Sequence, residues 1–202
     1  MRYYNAIQVS LFWILPLLIA LASVRFLLLP AEIGLAHMAH QLRASPMSLY
    51  SHAAASSIAL ALVPIQLWSK IRDRWPALHR WTGRLYGVAV LVGGITGFLI
   101  ALNALGGPVG QTGFAVLAVG WVATTGIGIW QASSRNFADH RRWMIRSSAL
   151  TWAGVTLRLY LPIMIPALGT QLTFAIVAWL CWVPNLLFAE WLLRRRAEPH
   201  PA

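Results

Sequence analysis

The stretch "ADHRRWMIRSSALTWAGVTLRLYLP", residues 138–162, decides the fold. Three arginines crowd its first nine residues, and the sixteen that follow hold only one more, Arg158. Counted from Ser147 at 1.5 Å per residue, Arg158 lies about 16 Å deep, close to the middle of a hydrocarbon layer about 30 Å thick. A basic edge followed by an apolar run of this length reads as a membrane-spanning helix entered from its basic side.

The pattern recurs along the chain. Six apolar segments separate, roughly Ser10 to Leu29, Leu49 to Trp68, Gly83 to Leu105, Gly113 to Ala132, Ser147 to Leu168 and Leu172 to Leu193. Each has the length of a spanning helix. Composition agrees: 58% of the 202 residues are hydrophobic and 10% charged, against about 25% charged in an ordinary soluble chain. The expected fold is all-α, a polytopic membrane helical bundle of six transmembrane helices. The first segment has a competing reading as a secretory signal, because Arg2 precedes it and Ala20-Leu21-Ala22 resembles a cleavage site. Its apolar character continues to Leu29, which favours a retained helix.

The net charge of +11 is explained by topology. Of the sixteen basic residues, thirteen fall on one face: Arg2, Lys70, Arg72, Arg74, Arg80, Arg84, Arg135, Arg141, Arg142, Arg146 and Arg194 to Arg196. Arg43 alone falls on the other face, and Arg25 and Arg158 fall inside helices. Positive charge stays inside, so both termini are expected to be cytoplasmic, in a bacterial cytoplasmic (inner) membrane. The basic surplus then suits the lipid bilayer and its anionic headgroups, and no nucleic acid is expected as a partner. The single cysteine, Cys181, excludes a disulfide within the chain and a cysteine-based metal cluster.

A weak repeat runs at an offset of 62 residues. Trp68 aligns with Trp130, and Arg80-Trp81-Thr82-Gly83-Arg84 aligns with Arg142-Trp143-Met144-Ile145-Arg146. The second and third helices therefore resemble the fourth and fifth, each pair a hairpin whose cytoplasmic turn ends in Arg-Trp-x-x-Arg. The plainest role for that motif is an interfacial anchor, tryptophan at headgroup depth and arginine on lipid phosphate. The organisation expected is 1–48, an N-terminal helix and outer loop; 49–168, the four-helix core of two repeated hairpins; and 169–202, a last helix with a basic tail.

Arg158 is the most costly residue in the chain, since a charge at that depth needs a partner. The five acids, Glu32, Asp73, Asp139, Glu190 and Glu198, fall in loops, in tails or at a helix end. The partners left are backbone carbonyls, such as Arg158's own, freed by Pro162, or water, or an anionic ligand, or another subunit. Thr151, Gly154 and Arg158 share one helix face. On the second helix His52 and Gln66 stand fourteen residues apart on one stripe with Ser56 and Ala59. His79 and His140 stand at the cytoplasmic starts of the third and fifth helices, where two imidazoles could hold a haem iron beside arginines for its propionates. A lone interfacial histidine is as readily a hydrogen-bonding group. His37 and His40 form an H-x-x-H in the outer loop, a weak metal pattern. The third helix carries Gly93 and Gly97, a small-xxx-small pair that permits close helix packing. No Gly-rich phosphate loop, zinc signature or nucleophile elbow is present.

The ordered motifs "HRWTGRLYG", Gly113-Phe114, Trp121, "HRRWMIRS" and "TLRLYLP" resemble those of the bacterial membrane family catalogued as domain of unknown function 2306. The resemblance covers roughly His52 to Pro162. It places characteristic residues at His52, Gln66, His79, Arg80, Trp81, Gly83, Arg84, Trp121, His140, Arg142, Trp143, Arg146 and Arg158. It implies a membrane location and carries no activity.

The leading expectation for function is a small membrane redox component that binds haem b or a quinone. His52, His79 and His140 are its candidate iron ligands or quinone partners, Arg84, Arg146 and Arg158 its groups for propionate, and Gln66 a polar neighbour on the His52 stripe. Only His52 is clearly inside a helix, so a single haem is the most this set supports. Two alternatives stay open: a non-catalytic structural or assembly subunit among other membrane subunits, and a small transporter with Arg158 in a midplane anion site.

Overall fold

A computed structural model describes residues 6–28 and 38–197, with side chains from 13 to 24 and from 38 to 195. The described residues form helices and their connections and no strand. They divide into two compact units, Met1–Ala104 and Leu105–Ala202. The division falls between the two hairpins of the repeat.

The first unit contains α1 (Ala6–Leu28), α2 (Ala39–Ala44), α3 (Pro46–Leu67), α4 (Ser69–Arg74) and α5 (Pro76–Ala101). Proline sets the starts of α3 and α5, where its missing N–H costs no helical hydrogen bond. Helix α3 packs against both α1 and α5. The α3–α5 seam is filled by small and branched residues, with Ala59, Val63, Tyr86 and Val90 at most 1% exposed.

The second unit contains α6 (Gly107–Ser133), α7 (Phe137–Thr151), α8 (Ala153–Leu168), α9 (Thr170–Leu180) and α10 (Val183–Ala197). Helix α6 packs against α7 and α9, and α10 packs against α7. Helices α7 and α8 are successive parts of one long apolar rod, as are α9 and α10. The second break precedes Pro184, which has no N–H to offer the preceding turn. Gly113 lets α6 approach α9 closely: a Cβ there would stand 2.8 Å from that of Ala178.

Among the described residues, five helical stretches are long and apolar enough to cross a membrane: Pro46–Leu67, Pro76–Ala101, Gly107–Ser133, Phe137–Leu168 and Thr170–Arg195. They correspond to the second to sixth expected segments. The first is helical within α1, Ala6–Leu28, including Ala20 to Ala22, and its described side chains form the apolar stretch Trp13–Val24. His37, Glu32, Glu198, Arg2 and the side chain of Arg25 lie outside the described residues.

The repeat has a structural counterpart. In the first unit Gln66 of α3 meets Thr82 of α5, its Nε2 donating to the Thr82 hydroxyl at 2.6 Å. Shifting both numbers by the repeat offset gives Gly128 and Met144, which also touch: a Cβ on Gly128 would lie 2.7 Å from the Met144 Sδ. The two hairpins therefore share one antiparallel register. The arginines that end their Arg-Trp-x-x-Arg motifs also behave alike. The Arg84 guanidinium lies 4.9 Å from the Trp81 ring centre, and that of Arg146 lies 4.7 Å from Trp143.

Candidate functional site

The stripe of His52 and Gln66 faces α5 and clasps the hairpin at both ends. At the outer end the His52 Nδ1 donates to the Gly93 carbonyl at 2.7 Å. A carbonyl only accepts, so the proton of a neutral His52 resides on Nδ1 and the lone pair on Nε2. The ring occupies a notch left by Gly97, where a Cβ would stand 2.9 Å from Nδ1. Gly93 and Gly97, expected as a helix-packing pair, thus make room for an imidazole. At the inner end Gln66 donates to the Thr82 hydroxyl and, at 3.3 Å, to the His79 carbonyl. Its Oε1 lies against Gly83, where a Cβ would approach to 3.1 Å.

Buried Gln41 of α2 extends this stripe outward. Its Nε2 donates at 2.9 Å to the carbonyls of Ile100 and Asn103 at the end of α5, where the Ile100 oxygen also accepts from the Asn103 N–H at 3.1 Å. Gly93, Gly97 and Ile100 follow at helical spacing, so His52 and Gln41 address one face of α5. His40 lies in the same short helix, and His37, the other residue of the H-x-x-H, lies outside the described residues.

The candidate histidines do not gather at one centre in the first unit. His79 precedes Gly93 by fourteen residues, about 21 Å along α5, so it cannot share an iron with His52. His140 belongs to the second unit and is the one histidine among its described residues. Its Nδ1 donates to the Gly128 carbonyl of α6 at 2.8 Å, the same arrangement as His52 on Gly93. Among the described residues, no three His, Cys, Asp or Glu side chains could together hold a metal ion.

The α6–α7 seam above His140 is a polar ladder. Thr125 and Ser147 share a hydrogen bond at 2.6 Å, and the Trp121 Nε1 donates to the Thr151 hydroxyl at 2.8 Å. The repeat-equivalent rung to Trp121 and Thr151 in the first unit is Ala59 with Ala89, both buried. Polar groups facing protein in this way are satisfied away from lipid.

The arginines divide by partner. Arg146 meets Glu190 of α10 through two bonds, Nε to Oε1 at 2.5 Å and Nη2 to Oε2 at 3.0 Å, a bidentate pair that neutralises it. Glu190 is therefore a structural partner within a helix. Arg158 donates from Nη1 to the Gly154 carbonyl at 2.9 Å, one turn back on its own helix. Arg84 is exposed. A further polar knot lies at the α9–α10 break, where Thr156 and Asn185 donate to the Cys181 carbonyl at 2.5 and 3.0 Å.

Among known families, the one described as a predicted membrane protein, DUF2306, matches residues 49–193. The chain belongs to this family. The match runs past Pro162, where the sequence resemblance ends, and so takes in Glu190 together with Arg146. No curated protein and no solved structure matches the chain. Membership in DUF2306 makes this a membrane protein with several transmembrane helices, in contact with the lipid bilayer, and it assigns no activity.

Proposed function

We propose that this member of DUF2306 is a small redox component of the bacterial cytoplasmic membrane that binds haem b or a quinone. The observation that carries the reading is His52, a half-buried imidazole in a spanning helix whose Nδ1–H is held by the Gly93 carbonyl. Imidazoles that ligate a metal are oriented in this way, with the second nitrogen presenting its lone pair. The same nitrogen would accept a hydrogen bond from a quinol hydroxyl. His140, held by Gly128, is the corresponding group in the other unit. A bound haem would supply one-electron chemistry, and His52 or His140 would each offer it one imidazole nitrogen.

The optical spectrum of the protein purified in mild detergent, before and after dithionite, tests this. The expected result is a Soret band with sharpened reduced bands that weakens in His52→Gln or His140→Gln, or a quinone extractable from the wild type and lost in those variants. A folded protein that is colourless and free of quinone overturns the reading.

One observation favours a non-catalytic subunit instead: Arg146 is neutralised by Glu190 and Arg158 is engaged by Gly154, so two of the three cations expected at propionates already have partners within the protein. Such a protein keeps its function in both glutamine variants.

The topology belongs to the same proposal: six crossings, the first through α1, with both termini cytoplasmic. The thirteen basic residues on one face support it. Cys181 is fully buried, so single cysteines introduced at the loops can be labelled against a silent background. Labelling of the Arg135 loop by an impermeant reagent from the outside of intact cells would reverse the orientation.

A further inference from the structure

The duplicated Arg-Trp-x-x-Arg motif presents two equivalent arginines, and they end in different environments. Arg146 lies on Trp143 and is closed off by Glu190. Arg84 lies on Trp81, and none of the ion pairs among the described residues includes it: these join Arg72 to Asp73, Arg142 to Asp139 and Arg146 to Glu190. Among the described residues of its unit, no acid matches Glu190. Helices α1 and α3, the other long helices of that unit, contain no carboxylate in Ala6–Leu28 or Pro46–Leu67, and Asp73 is already taken by Arg72.

The surface below Arg84 says which anion fits. Trp81 is 67% exposed, and Leu85, Val88, Val92 and Ile95 follow it at +4, +7, +11 and +14, each at least 40% exposed. At 100° per residue these five form one straight apolar stripe, and Arg84 stands about one sixth of a turn from it. A cation with an aromatic plane at the head of an apolar stripe matches an amphiphile. A free anion would have no use for the stripe.

We propose that Arg84, seated on Trp81, holds the phosphate of an anionic phospholipid whose acyl chain lies along Leu85, Val88 and Val92 of α5. Lys70, Arg74 and Arg80 along the same segment raise the local positive potential and favour an anionic over a zwitterionic headgroup. The duplication has thus produced one arginine satisfied from within the protein and one satisfied by lipid. The assignment takes Arg84 out of the set expected at haem propionates, and it holds whether or not His52 or His140 binds haem or a quinone.

The test is native mass spectrometry of the detergent-purified, delipidated full chain, given equal amounts of phosphatidylglycerol and phosphatidylcholine. The wild type is expected to retain phosphatidylglycerol in preference. Arg84→Gln lowers that occupancy about fivefold, the effect of one interfacial cation, and leaves phosphatidylcholine unchanged. Trp81→Leu keeps the charge, lowers the occupancy as well, and separates a lipid seat from general basicity. Unchanged phosphatidylglycerol occupancy in Arg84→Gln, with a wild-type gel-filtration profile, overturns the proposal. So does displacement of the lipid by inorganic phosphate at equal concentration, which would mark a site for a free anion.

Discussion

Arg146 and Glu190 stand 44 residues apart in the chain and meet edge to edge, two nitrogens of one fork on two oxygens of the other. The pair joins α7 to α10 at a point where both side chains are less than a third exposed. Glu190→Gln leaves an arginine facing a neutral amide and is expected to lower stability by about 1–3 kcal/mol. Glu190→Met combined with Arg146→Met is expected to cost less than the two single changes added together, because neither charge is then stranded. Thermal unfolding in one detergent, run on the wild type, the two single methionine variants and the double variant, checks the coupling. Strict additivity would mean the pair contributes nothing.

Gly97 is expected to tolerate no side chain while His52 is present. The added methyl of Gly97→Ala would press on the imidazole at 2.9 and 3.0 Å. Forcing the ring from its hydrogen bond to Gly93 is expected to cost about 1–3 kcal/mol. His52→Ala in the same chain removes the collision, so the double variant should melt above Gly97→Ala alone. A glycine needed only for helix contact would show no such rescue.

The loop before α6 provides a paired comparison of neighbouring glycines. Gly106 and Gly107 both have positive φ, 89° and 60°. At Gly106 a Cβ would also stand 2.4 Å from the Ala175 backbone nitrogen, whereas nothing lies within 4 Å of one at Gly107. Gly107→Ala is expected to cost about 1 kcal/mol for the left-handed backbone alone. Gly106→Ala adds a clash with main chain that cannot move aside, so its yield of folded protein should fall well below that of Gly107→Ala. Equal yields would refute the contact.

Trp121→Phe is expected to cost about 1 kcal/mol, the net value of its hydrogen bond to Thr151. The loss should shrink when Thr151 is also replaced by valine, and unfolding midpoints of the two single variants and the double variant measure it.

Much of this was legible in the sequence because hydrocarbon imposes a strong pattern. Length and apolarity alone outlined the spanning helices. The Arg-Trp-x-x-Arg motif exposed the duplication, and the spacing of His52 and Gln66 predicted a common face. What the sequence concealed were partners distant in the chain. Glu190 looked like a residue at a helix end, and only packing of α10 on α7 brings it to Arg146. Gly93 and Gly97 matched a helix-dimer motif, whose spacing is identical whether a backbone or an imidazole fills the notch. Gln41 gave no signal, since capping of α5 from a six-residue helix follows no local rule.

The two hairpins are built in one register, yet they exchange large for small at the equivalent contact. In the first, the long Gln66 of α3 lies against Thr82 and Gly83 of α5. In the second, the long Met144 comes from the later helix and glycine stands at 128 on the earlier one. A helix that strayed to the sibling hairpin would set Gln66 against Met144, or leave Gly128 facing Thr82 across a gap. Duplicated segments entering one membrane are at risk of marrying the wrong sister, and this opposite cut of tooth and notch gives each helix a key to its own mate.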